Sequence, residues 1–355
     1  MTRPARARID LEALRHNYAL ARRLHGGRAL AVLKANAYGH GAVRCAQALV
    51  DTADGFAVAF TDEALALRAA GIVQPILVLE GPFDADELEH ANRHRLWIVV
   101  HHEHQVRMVE DQPDLHGLHV WLKADTGMRR AGFSTRAELI DAHARLAAGG
   151  RVAAITLMTH LARADEPDQP ATTGQIDAFR ALTAGLPGDR SLSNSAGVLG
   201  WPAARGDWSR LGILLYGADP MPGTGHGLIP VMTLESRIFA VRTVQPGDAV
   251  GYGGRYVADR PTRVGLVAMG YADGYPRSAP SGTPVAVDGR ASRLAGRISM
   301  DMLTVDITDL ADAGVGSRVE LWGRQVDVNA VARAAGTVAY ELLCNVKRVP
   351  LDYTG

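Results

Sequence analysis

The chain has 355 residues, and its 38 Lys and Arg residues balance 38 Asp and Glu residues. This length fits one large barrel or two medium domains, and the zero formal charge argues against a nucleic-acid-binding protein. No apolar run is long enough to cross a membrane, and MTRPARARID lacks the apolar stretch of a signal peptide. The two cysteines, Cys45 and Cys344, are too few for a disulfide framework or a zinc site. We therefore expect a cytoplasmic protein without a metal, nucleic-acid or membrane partner.

Short apolar runs alternate with amphipathic stretches over residues 1–225. Asp10 is placed to cap a first helix, and the helical stretch Thr61–Ala70 is followed by Gly71 as a stop signal. Eight strands interleaved with helices predict a parallel (β/α)8 barrel of the TIM type. The strand candidates are Ala29–Leu33, Gly55–Phe60, Ile76–Leu79, Leu96–Val100, Gly117–Lys123, Val152–Met158, Ser191–Ser193 and Leu211–Tyr216.

The pattern changes after a Pro- and Gly-rich segment at residues 219–227, which reads as a linker. Alternating, β-branched runs separated by turns then predict an all-β domain over residues 226–355. Its strand candidates are Leu234–Thr243, Thr262–Met269, Pro284–Val287, Leu303–Ile307 and Arg318–Leu321.

Lysine is scarce in this chain: three of the 38 basic residues are Lys34, Lys123 and Lys347, and the other 35 are arginines. An amine can form a Schiff base or a carbamate, whereas a guanidinium in practice cannot. Lys34 ends the first barrel strand and precedes a Gly-rich turn, and the ends of barrel strands form the active-site face. The position favours a Schiff-base lysine, although a surface lysine beside an ordinary turn is the simpler alternative.

The segment AVLKANAYGHG around Lys34 resembles the signature of the pyridoxal-phosphate-dependent alanine racemases, at the lysine that holds the cofactor. Family-like segments continue in order along nearly the whole chain. They are KADTGMRRAG, MTHLARAD, SNSAG, RLGILLYG, GYGGRY, GYADGYPR, GRISMD and YELLC. The resemblance implies an isomerase that interconverts L- and D-alanine.

The resemblance also implies which residues hold pyridoxal 5'-phosphate. Ser195 stands in SNSAG, which by itself could equally be a helix cap, because a hydroxyl and free amides at a helix start suit either role. The residues that match the phosphate-binding group of the family are Tyr38, Ser195, Gly212, Ile213 and Tyr340.

Arg210 matches the family position that faces the pyridine nitrogen of the cofactor. Many other enzymes with this cofactor place a carboxylate there, which keeps the nitrogen protonated and stabilises a carbanion. A permanent cation would leave it unprotonated and disfavour side reactions. His160 matches the residue associated with this arginine, although without the resemblance it reads as an ordinary core histidine.

Tyr252, in GYGGRY, matches the second catalytic base of the family, which the partner subunit of a homodimer contributes. Without the resemblance it reads as a turn tyrosine, because a phenol is a weak base unless cations favour its phenolate. Two bases on opposite faces of Cα suit racemisation, in which a proton leaves one face and returns to the other.

Arg130 and the backbone N–H of Met300 match the groups that bind the substrate carboxylate, which a guanidinium fork suits. Lys123 matches a lysine that is carbamylated in some relatives, and a carbamate would orient Arg130. Lys347 has no comparable role. The residues that match the substrate entrance are Tyr271, Arg277, Arg297 and Asp301.

Three alternatives to an alanine racemase share parts of this pattern. A racemase with broader substrate specificity fits the same residues. A fold-related amino-acid decarboxylase fits less well, because decarboxylation benefits from a carboxylate at the position of Arg210. A non-catalytic cofactor carrier would need Lys34 and the phosphate site but no second domain. The catalytic residues are the same for an enzyme that supplies D-alanine for peptidoglycan and for one that acts in alanine catabolism.

Overall fold

The computed structural model describes residues 3–221, 223 and 225–355, so Pro222 and Thr224 of the predicted linker lie outside the described residues. Helices and strands alternate in the first part of the chain. In order they are β1 (Arg6–Asp10), α1 (Leu11–His25), β2 (Arg28–Val32), α2 (Lys34–Tyr38), α3 (Ala42–Leu49), β3 (Gly55–Val58), α4 (Thr61–Ala69), β4 (Ile76–Val78), α5 (Ala85–Arg93), β5 (Trp97–Val100), α6 (Glu103–Glu110), β6 (Leu118–Lys123), α7 (Arg136–Ala148), β7 (Val152–Met158), α8 (Ala171–Thr183), β8 (Asp189–Ser191), α9 (Ser195–Gly200) and β9 (Trp208–Leu211).

Strands β2 to β9 form one parallel eight-stranded sheet in the order β8-β7-β6-β5-β4-β3-β2-β9. The edge strands of this sheet are β8 and β9. The amide of Arg210 in β9 donates to the carbonyl of Ser193, two residues after β8, at 3.0 Å, so the sheet nearly closes into a barrel. Asp10 caps α1 as predicted, because its Oδ1 accepts from the amide of Ala13 at 2.9 Å. The predicted (β/α)8 barrel is therefore confirmed.

Two strand predictions in the barrel are wrong in position. The run Leu211–Tyr216 was expected to be a strand, but β9 ends at Leu211 and a 3-10 turn covers Ile213–Tyr216. All residues of this run are buried, and a short buried apolar run carries no periodicity that distinguishes a strand from a helical turn. The expected strand at Ser191–Ser193 is displaced toward the N-terminus, since β8 spans Asp189–Ser191.

The second part of the chain is mostly strands, as predicted. Its elements are β10 (Met232–Val244), β11 (Ala249–Val250), β12 (Tyr256–Val257), β13 (Thr262–Val267), β14 (Pro284–Val287), β15 (Arg290–Arg293), β16 (Leu303–Asp306), β17 (Arg318–Trp322), α10 (Val328–Ala335), α11 (Ala339–Cys344) and β18 (Leu351–Thr354). Helices α10 and α11 are additions to the predicted pattern.

Strand β10 is the centre of the second sheet, because it pairs with β1, β13 and β17. The N-terminal strand β1 also pairs in parallel with β18, so both ends of the chain join this sheet rather than the barrel. The contiguous division into residues 1–225 and 226–355 remains a prediction.

Three tryptophan side chains, those of Trp97, Trp121 and Trp208, pack against one another in the barrel. Trp121 and Trp208 lie two residues before Lys123 and Arg210, and alternation along a strand places such pairs on one face. The ring centroids of Trp121 and Trp208 are 5.8 Å apart, and Trp97 packs edge-on against Trp208 at 5.4 Å. The space left open in the barrel is at the carboxyl ends of its strands. None of the helices in the described residues combines the length and the apolar character needed to cross a membrane.

Candidate active site

A cavity of about 320 Å³ opens at the carboxyl ends of the barrel strands. Ten of the sixteen residues proposed from the sequence line this cavity. They are Lys34, Tyr38, Lys123, Arg130, His160, Ser195, Arg210, Gly212, Ile213 and Tyr340. The barrel therefore brings together residues that are separated by up to about three hundred positions in the chain.

Lys34 follows the end of β2 and begins a left-handed turn. Ala35, Asn36, Ala37 and Tyr38 all have φ between 52° and 56°. This conformation costs about 1–2 kcal/mol for each residue that has a Cβ, so four in succession form a strained segment. Glu63 supports the turn by accepting the Ala35 amide at 2.6 Å. Such strain is typical of functional sites, where the surrounding structure must hold a residue in position.

Gly212 allows hydroxyl groups to approach the backbone at the cavity wall. A Cβ at this position would lie 2.8 Å from Tyr38 Oη and 3.5 Å from Ser195 Oγ. Ser195 Oγ accepts from the amides of Gly212 at 3.0 Å and Leu214 at 3.4 Å. The ring of Tyr340 lies 6.0 Å from that of Tyr38. This arrangement gathers hydroxyls and amide groups of the kind that bind phosphate oxygens.

The two tyrosines at this wall are held as neutral phenols. Burial raises the pKa of Tyr38 well above its usual range, and the Tyr340 and Cys344 groups add to the shift. Burial, with a smaller effect of Asp165, raises the pKa of Tyr340 to about 12. Both hydroxyls therefore keep the proton that they would donate to an anion.

Arg210 is buried at the end of β9, and both of its terminal nitrogens are engaged. Nη1 donates to Ser191 O at 3.1 Å and to Ser191 Oγ at 2.5 Å. Nη2 donates to Thr159 O at 2.6 Å and Leu192 O at 3.2 Å, and it lies 3.5 Å from His160 Nδ1. Among the described residues, none offers an acceptor to Nε. Burial lowers the pKa of Arg210 to about 10, which leaves it charged at neutral pH.

His160 is neutral in this environment. Burial lowers its pKa well below the usual value, and the positive charges of Arg210 and Lys123 lower it further. A neutral imidazole can accept at Nδ1, which agrees with the position of Arg210 Nη2 at 3.5 Å from this atom. His160 thus restrains Arg210 without adding a charge to the cavity.

Lys123 is buried at the end of β6. Burial, followed by the charge of Arg210, lowers the pKa of Lys123 to about 8, although the carboxylate of Glu80 opposes this shift. A lysine with this pKa is partly a free amine near neutral pH, and the free amine is the form that reacts with carbon dioxide.

The charges on the cavity wall are strongly unbalanced. Four basic side chains and one carboxylate, that of Glu80, line the cavity; the four are Lys34, Lys123, Arg130 and Arg210. A cavity with this composition suits a ligand that carries several negative charges. Glu80 was missed in the sequence, although it directly follows the predicted strand Ile76–Leu79 and thus stands at the active-site face. Asn194 and Cys344 also line the cavity; they lie in the family-like segments SNSAG and YELLC, but no role was predicted for either residue.

The other six residues proposed from the sequence lie outside this cavity, on the second domain. We call them the β-domain strip: Tyr252, Tyr271, Arg277, Arg297, Met300 and Asp301. Tyr252 is 68% exposed and Met300 is 54% exposed. The backbone at Gly251 and Gly253 adjoins Arg297, and the Arg277 guanidinium lies 5.9 Å from the ring of Tyr271. The strip therefore lies at the surface of the second domain.

The backbone N–H of Met300 is fixed in direction by its own peptide group. The carbonyl of that peptide, Ser299 O, accepts from the Tyr271 amide at 3.0 Å. In a trans peptide the N–H points opposite to the C=O, so this bond turns the Met300 N–H away from Tyr271. No described residue provides an acceptor for this N–H. It is an available donor on an exposed surface, as a carboxylate-binding group must be.

The cavity residues fit pyridoxal 5'-phosphate. An amine at a strand end can hold its aldehyde carbon, the hydroxyls of Tyr38 and Ser195 beside Gly212 can bind its phosphate, and the Nε–H of Arg210 is a donor for a ring nitrogen.

Comparisons with known proteins cover the whole chain. The family model described as the alanine racemase N-terminal domain matches residues 9–220, and that of the C-terminal domain matches residues 231–353. An alanine racemase of Azoarcus sp. is 67% identical over 99% of this chain and 100% of that protein. A catabolic alanine racemase of Pseudomonas putida is 57% identical, with 99% of each chain covered.

Solved structures agree with these matches. The crystal structure of a biosynthetic alanine racemase from Pseudomonas aeruginosa superposes with a TM-score of 0.97 at 48% identity, and all of both chains is covered. An alanine racemase from Acinetobacter baumannii superposes with a TM-score of 0.94 at 36% identity, over 99% of this chain and 100% of that chain. Together with the two family models, these similarities establish that the chain belongs to the alanine racemase family.

Proposed function

We propose that this chain interconverts L-alanine and D-alanine with pyridoxal 5'-phosphate as its cofactor. The observation that carries the proposal is the placement of Lys34 in one cavity with Arg210 and with the hydroxyl and amide groups at Gly212. The 67% identical relative named alanine racemase supports the choice of substrate.

Eight residues would hold the cofactor. Lys34 would bind its aldehyde carbon, and Arg210 would face its pyridine nitrogen, with His160 restraining Arg210. The phosphate-binding group would be Tyr38, Ser195, Gly212, Ile213 and Tyr340. When bound, the cofactor withdraws electrons from Cα of the substrate, which makes the Cα proton removable. A cation at Arg210 limits this withdrawal, so proton transfer depends on well-placed bases.

Two residues would move the proton. Lys34 Nζ would serve the face of Cα from which D-alanine loses its proton, and Tyr252 Oη the face from which L-alanine loses it. Each base accepts a proton from one enantiomer and donates one when the reaction runs in reverse, so the two must lie on opposite faces of the same carbon. The substrate enters as a free amino acid and leaves inverted, with no net change in atoms.

The exposure of Tyr252 supports a homodimer with shared active sites. Tyr252 is 68% exposed and does not line the cavity of its own chain. A second copy, with its β-domain strip at the mouth of this cavity, would bring Tyr252 to the substrate and cover the strip. We propose residues 1–225 as the cofactor-binding barrel domain, whose first strand β1 joins the second sheet, and residues 226–355 as the domain that completes the partner's site.

The substrate carboxylate would be bound by Arg130 and by the N–H of Met300. Arg130 lines the cavity, and among the described residues its guanidinium has no acidic partner. Carbamylation of Lys123 would provide one: the free amine bonds to carbon dioxide, loses a proton and becomes an anion. The lowered pKa of Lys123 favours this reaction at neutral pH. Tyr271, Arg277, Arg297 and Asp301 would line the entrance.

The residues of the site do not distinguish a biosynthetic from a catabolic enzyme, and relatives with both descriptions are similar to this chain. We propose a cytoplasmic enzyme that either supplies D-alanine for peptidoglycan or acts in alanine catabolism.

The test is a panel of L-amino acids incubated with the purified holoenzyme, with chiral analysis and carbon dioxide release measured together. We expect rapid racemisation of alanine, slow turnover of serine and of basic amino acids, and no decarboxylation. Comparable rates for several amino acids would establish the broader racemase instead, and release of carbon dioxide would establish a decarboxylase. Borohydride reduction followed by peptide mapping should place the cofactor on Lys34 and not on Lys123 or Lys347.

A further inference from the structure

Asp273 is a fully buried carboxylate in the second domain to which the proposed reaction assigns no role. It ends the 3-10 turn Tyr271–Asp273, and its side chain has no exposed surface. Oδ2 accepts from the amide of Gly270 at 3.0 Å, which closes the turn. A buried carboxylate must be compensated by positive charge, so its partners indicate what the chain uses it for.

Two arginines from opposite ends of the chain compensate Asp273. Arg3 Nη1 lies 2.8 Å from Oδ1, and Arg348 Nε lies 3.9 Å from the same oxygen. Oδ1 receives no aligned hydrogen bond, so its stabilisation depends on the charges of these two groups. Arg3 also donates to the carbonyl of Arg348 at 2.9 Å, and Arg348 Nη1 reaches Asp301 of the β-domain strip at 3.5 Å.

The turn closed by Asp273 holds the peptide that carries the Met300 N–H. The amides of Tyr271 and Ala272 donate to Ser299 O at 3.0 Å and Met300 O at 3.1 Å. A Cβ at Gly270 would overlap Met300 O and Ser299 O, so the two segments are in direct backbone contact. The opposite side of the turn is bound as well, because Lys347 N donates to Asp273 O at 2.7 Å.

We propose that Asp273, with Arg3 and Arg348, positions the Met300 N–H for the substrate carboxylate. Asp273 does not touch the substrate in this scheme. It fixes the turn, the turn fixes the orientation of the Ser299–Met300 peptide, and that peptide presents its N–H at the exposed surface. The proposal rests on the proposed function only in taking the carboxylate of an amino acid as the ligand.

The variant Asp273→Asn tests this proposal. An amide oxygen can still accept from Gly270, but it carries no charge for Arg3 and Arg348, so the turn should loosen without a change in side-chain volume. Glu235→Gln is the matched control. Glu235 is also a buried carboxylate of the second sheet with two arginine partners, Arg8 at 2.9 Å and Arg318 at 2.5 Å, and it makes no contact with the Tyr271–Asp273 turn.

Two measurements on the holoenzyme follow: calorimetric titration with acetate as a bare carboxylate, and hydrogen exchange of the peptide that contains Tyr271 and Ala272. In Asp273→Asn we expect acetate to bind about 10-fold more weakly, with a similar rise in KM for alanine and a smaller change in kcat, since a hydrogen bond to a charged group is weakened. The two amides should exchange at least about 10-fold faster. Cofactor absorption should stay as in the wild type, and Glu235→Gln should change none of these quantities.

Unchanged acetate affinity and unchanged exchange in folded Asp273→Asn would overturn the proposal. So would equal changes in Glu235→Gln, because they would show a general loss of stability. If Asp273→Asn does not fold, Arg348→Met must show the same weakened acetate binding, and Arg348→Lys must restore part of it; failure of both refutes the positioning role. A wild-type holoenzyme that binds acetate but does not racemise alanine would refute the proposed function and leave this inference standing.

Discussion

The cavity of the barrel and the β-domain strip differ in how completely one chain builds them. In the cavity, Arg210 is held by several hydrogen bonds, Lys123 is buried, and Tyr38 approaches the backbone at Gly212. In the strip, Tyr252 and Met300 are more than half exposed. The residues proposed to hold the cofactor line one cavity of a single chain, whereas Tyr252 and Met300 lie on an exposed surface of the second domain. This difference supports the proposal that one chain binds the cofactor and that two chains together transfer the proton.

The largest expected effect is on the cavity side of this comparison. Lys34→Ala would remove both the proposed attachment of the cofactor and one of the two proposed bases, so we expect activity to fall by about 10⁴-fold or more. The visible absorption of bound cofactor should change, and borohydride should fix no adduct. Lys347→Ala is the control, because Lys347 lies outside the cavity. Retention of activity in Lys34→Ala would contradict the assignment of the site.

Tyr252→Phe should impair proton transfer, which we assign to the β-domain strip, without changing cofactor binding in the cavity. Removal of one base should lower kcat by about 10²- to 10⁴-fold in both directions. Exchange of the Cα proton should be suppressed more strongly from L-alanine than from D-alanine, because Lys34 still serves the other face. Cofactor affinity should not change. Equal suppression of exchange from both enantiomers would contradict the assignment of Tyr252 to the face of Cα from which L-alanine loses its proton.

The backbone donor of the strip can be tested with a pair of substitutions. Met300→Pro removes the N–H and should raise KM for alanine by about 10- to 100-fold, since a hydrogen bond to a charged group contributes roughly 1.5–3 kcal/mol. Met300→Ala keeps the N–H and should leave KM within about 3-fold of the wild type. An equal rise of KM in both variants would show that the side chain, not the amide, contacts the substrate.

The smallest expected effect concerns the pH dependence of stability. The pKa of Lys123 is lowered to about 8 by burial and by Arg210, whereas an unfolded lysine titrates near 10.4. Between these values the unfolded chain binds more protons, so the free energy of unfolding should rise with pH, by about 1–3 kcal/mol in total. Lys123→Met should abolish this rise in denaturant titrations from pH 7.5 to 10 in carbon-dioxide-free buffer. An identical slope in both proteins would show that Lys123 titrates normally.

The sequence was most informative where local pattern and chemistry coincide. Alternating apolar runs predicted the barrel. The scarcity of lysine, together with a strand end and a Gly-rich turn, indicated Lys34 as a Schiff-base lysine. The prediction of a strand at Leu211–Tyr216 is wrong because a fully buried segment has no periodicity. The strand ends before Gly212, whose neighbours Tyr38 and Ser195 are distant in sequence, so no local pattern marks this end. Glu80 follows a predicted strand, but a single carboxylate does not indicate a functional site. Its position becomes informative only once the structure shows the basic residues around it.

The separation between cavity and strip could not be predicted from the residues alone. Tyr252 is a turn tyrosine by its local sequence, and its role depended entirely on resemblance to a family. The network of Asp273 likewise joins Arg3 to Arg348, a separation of 345 positions that no local pattern reveals. Contacts of this kind arise when β1 and β18 pair in one sheet and bring the ends of the chain together.

Complementation between two inactive variants tests most directly the claim that the active site needs two chains. Lys34→Ala and Tyr252→Phe are each purified, mixed under conditions that allow subunit exchange, and assayed with L-alanine. One site of each heterodimer would then carry both defects and the other neither, so we predict up to about half of the wild-type activity per heterodimer if the sites act independently. Demonstrated heterodimers that stay as inactive as the single variants would contradict the account, because both bases would then belong to one chain.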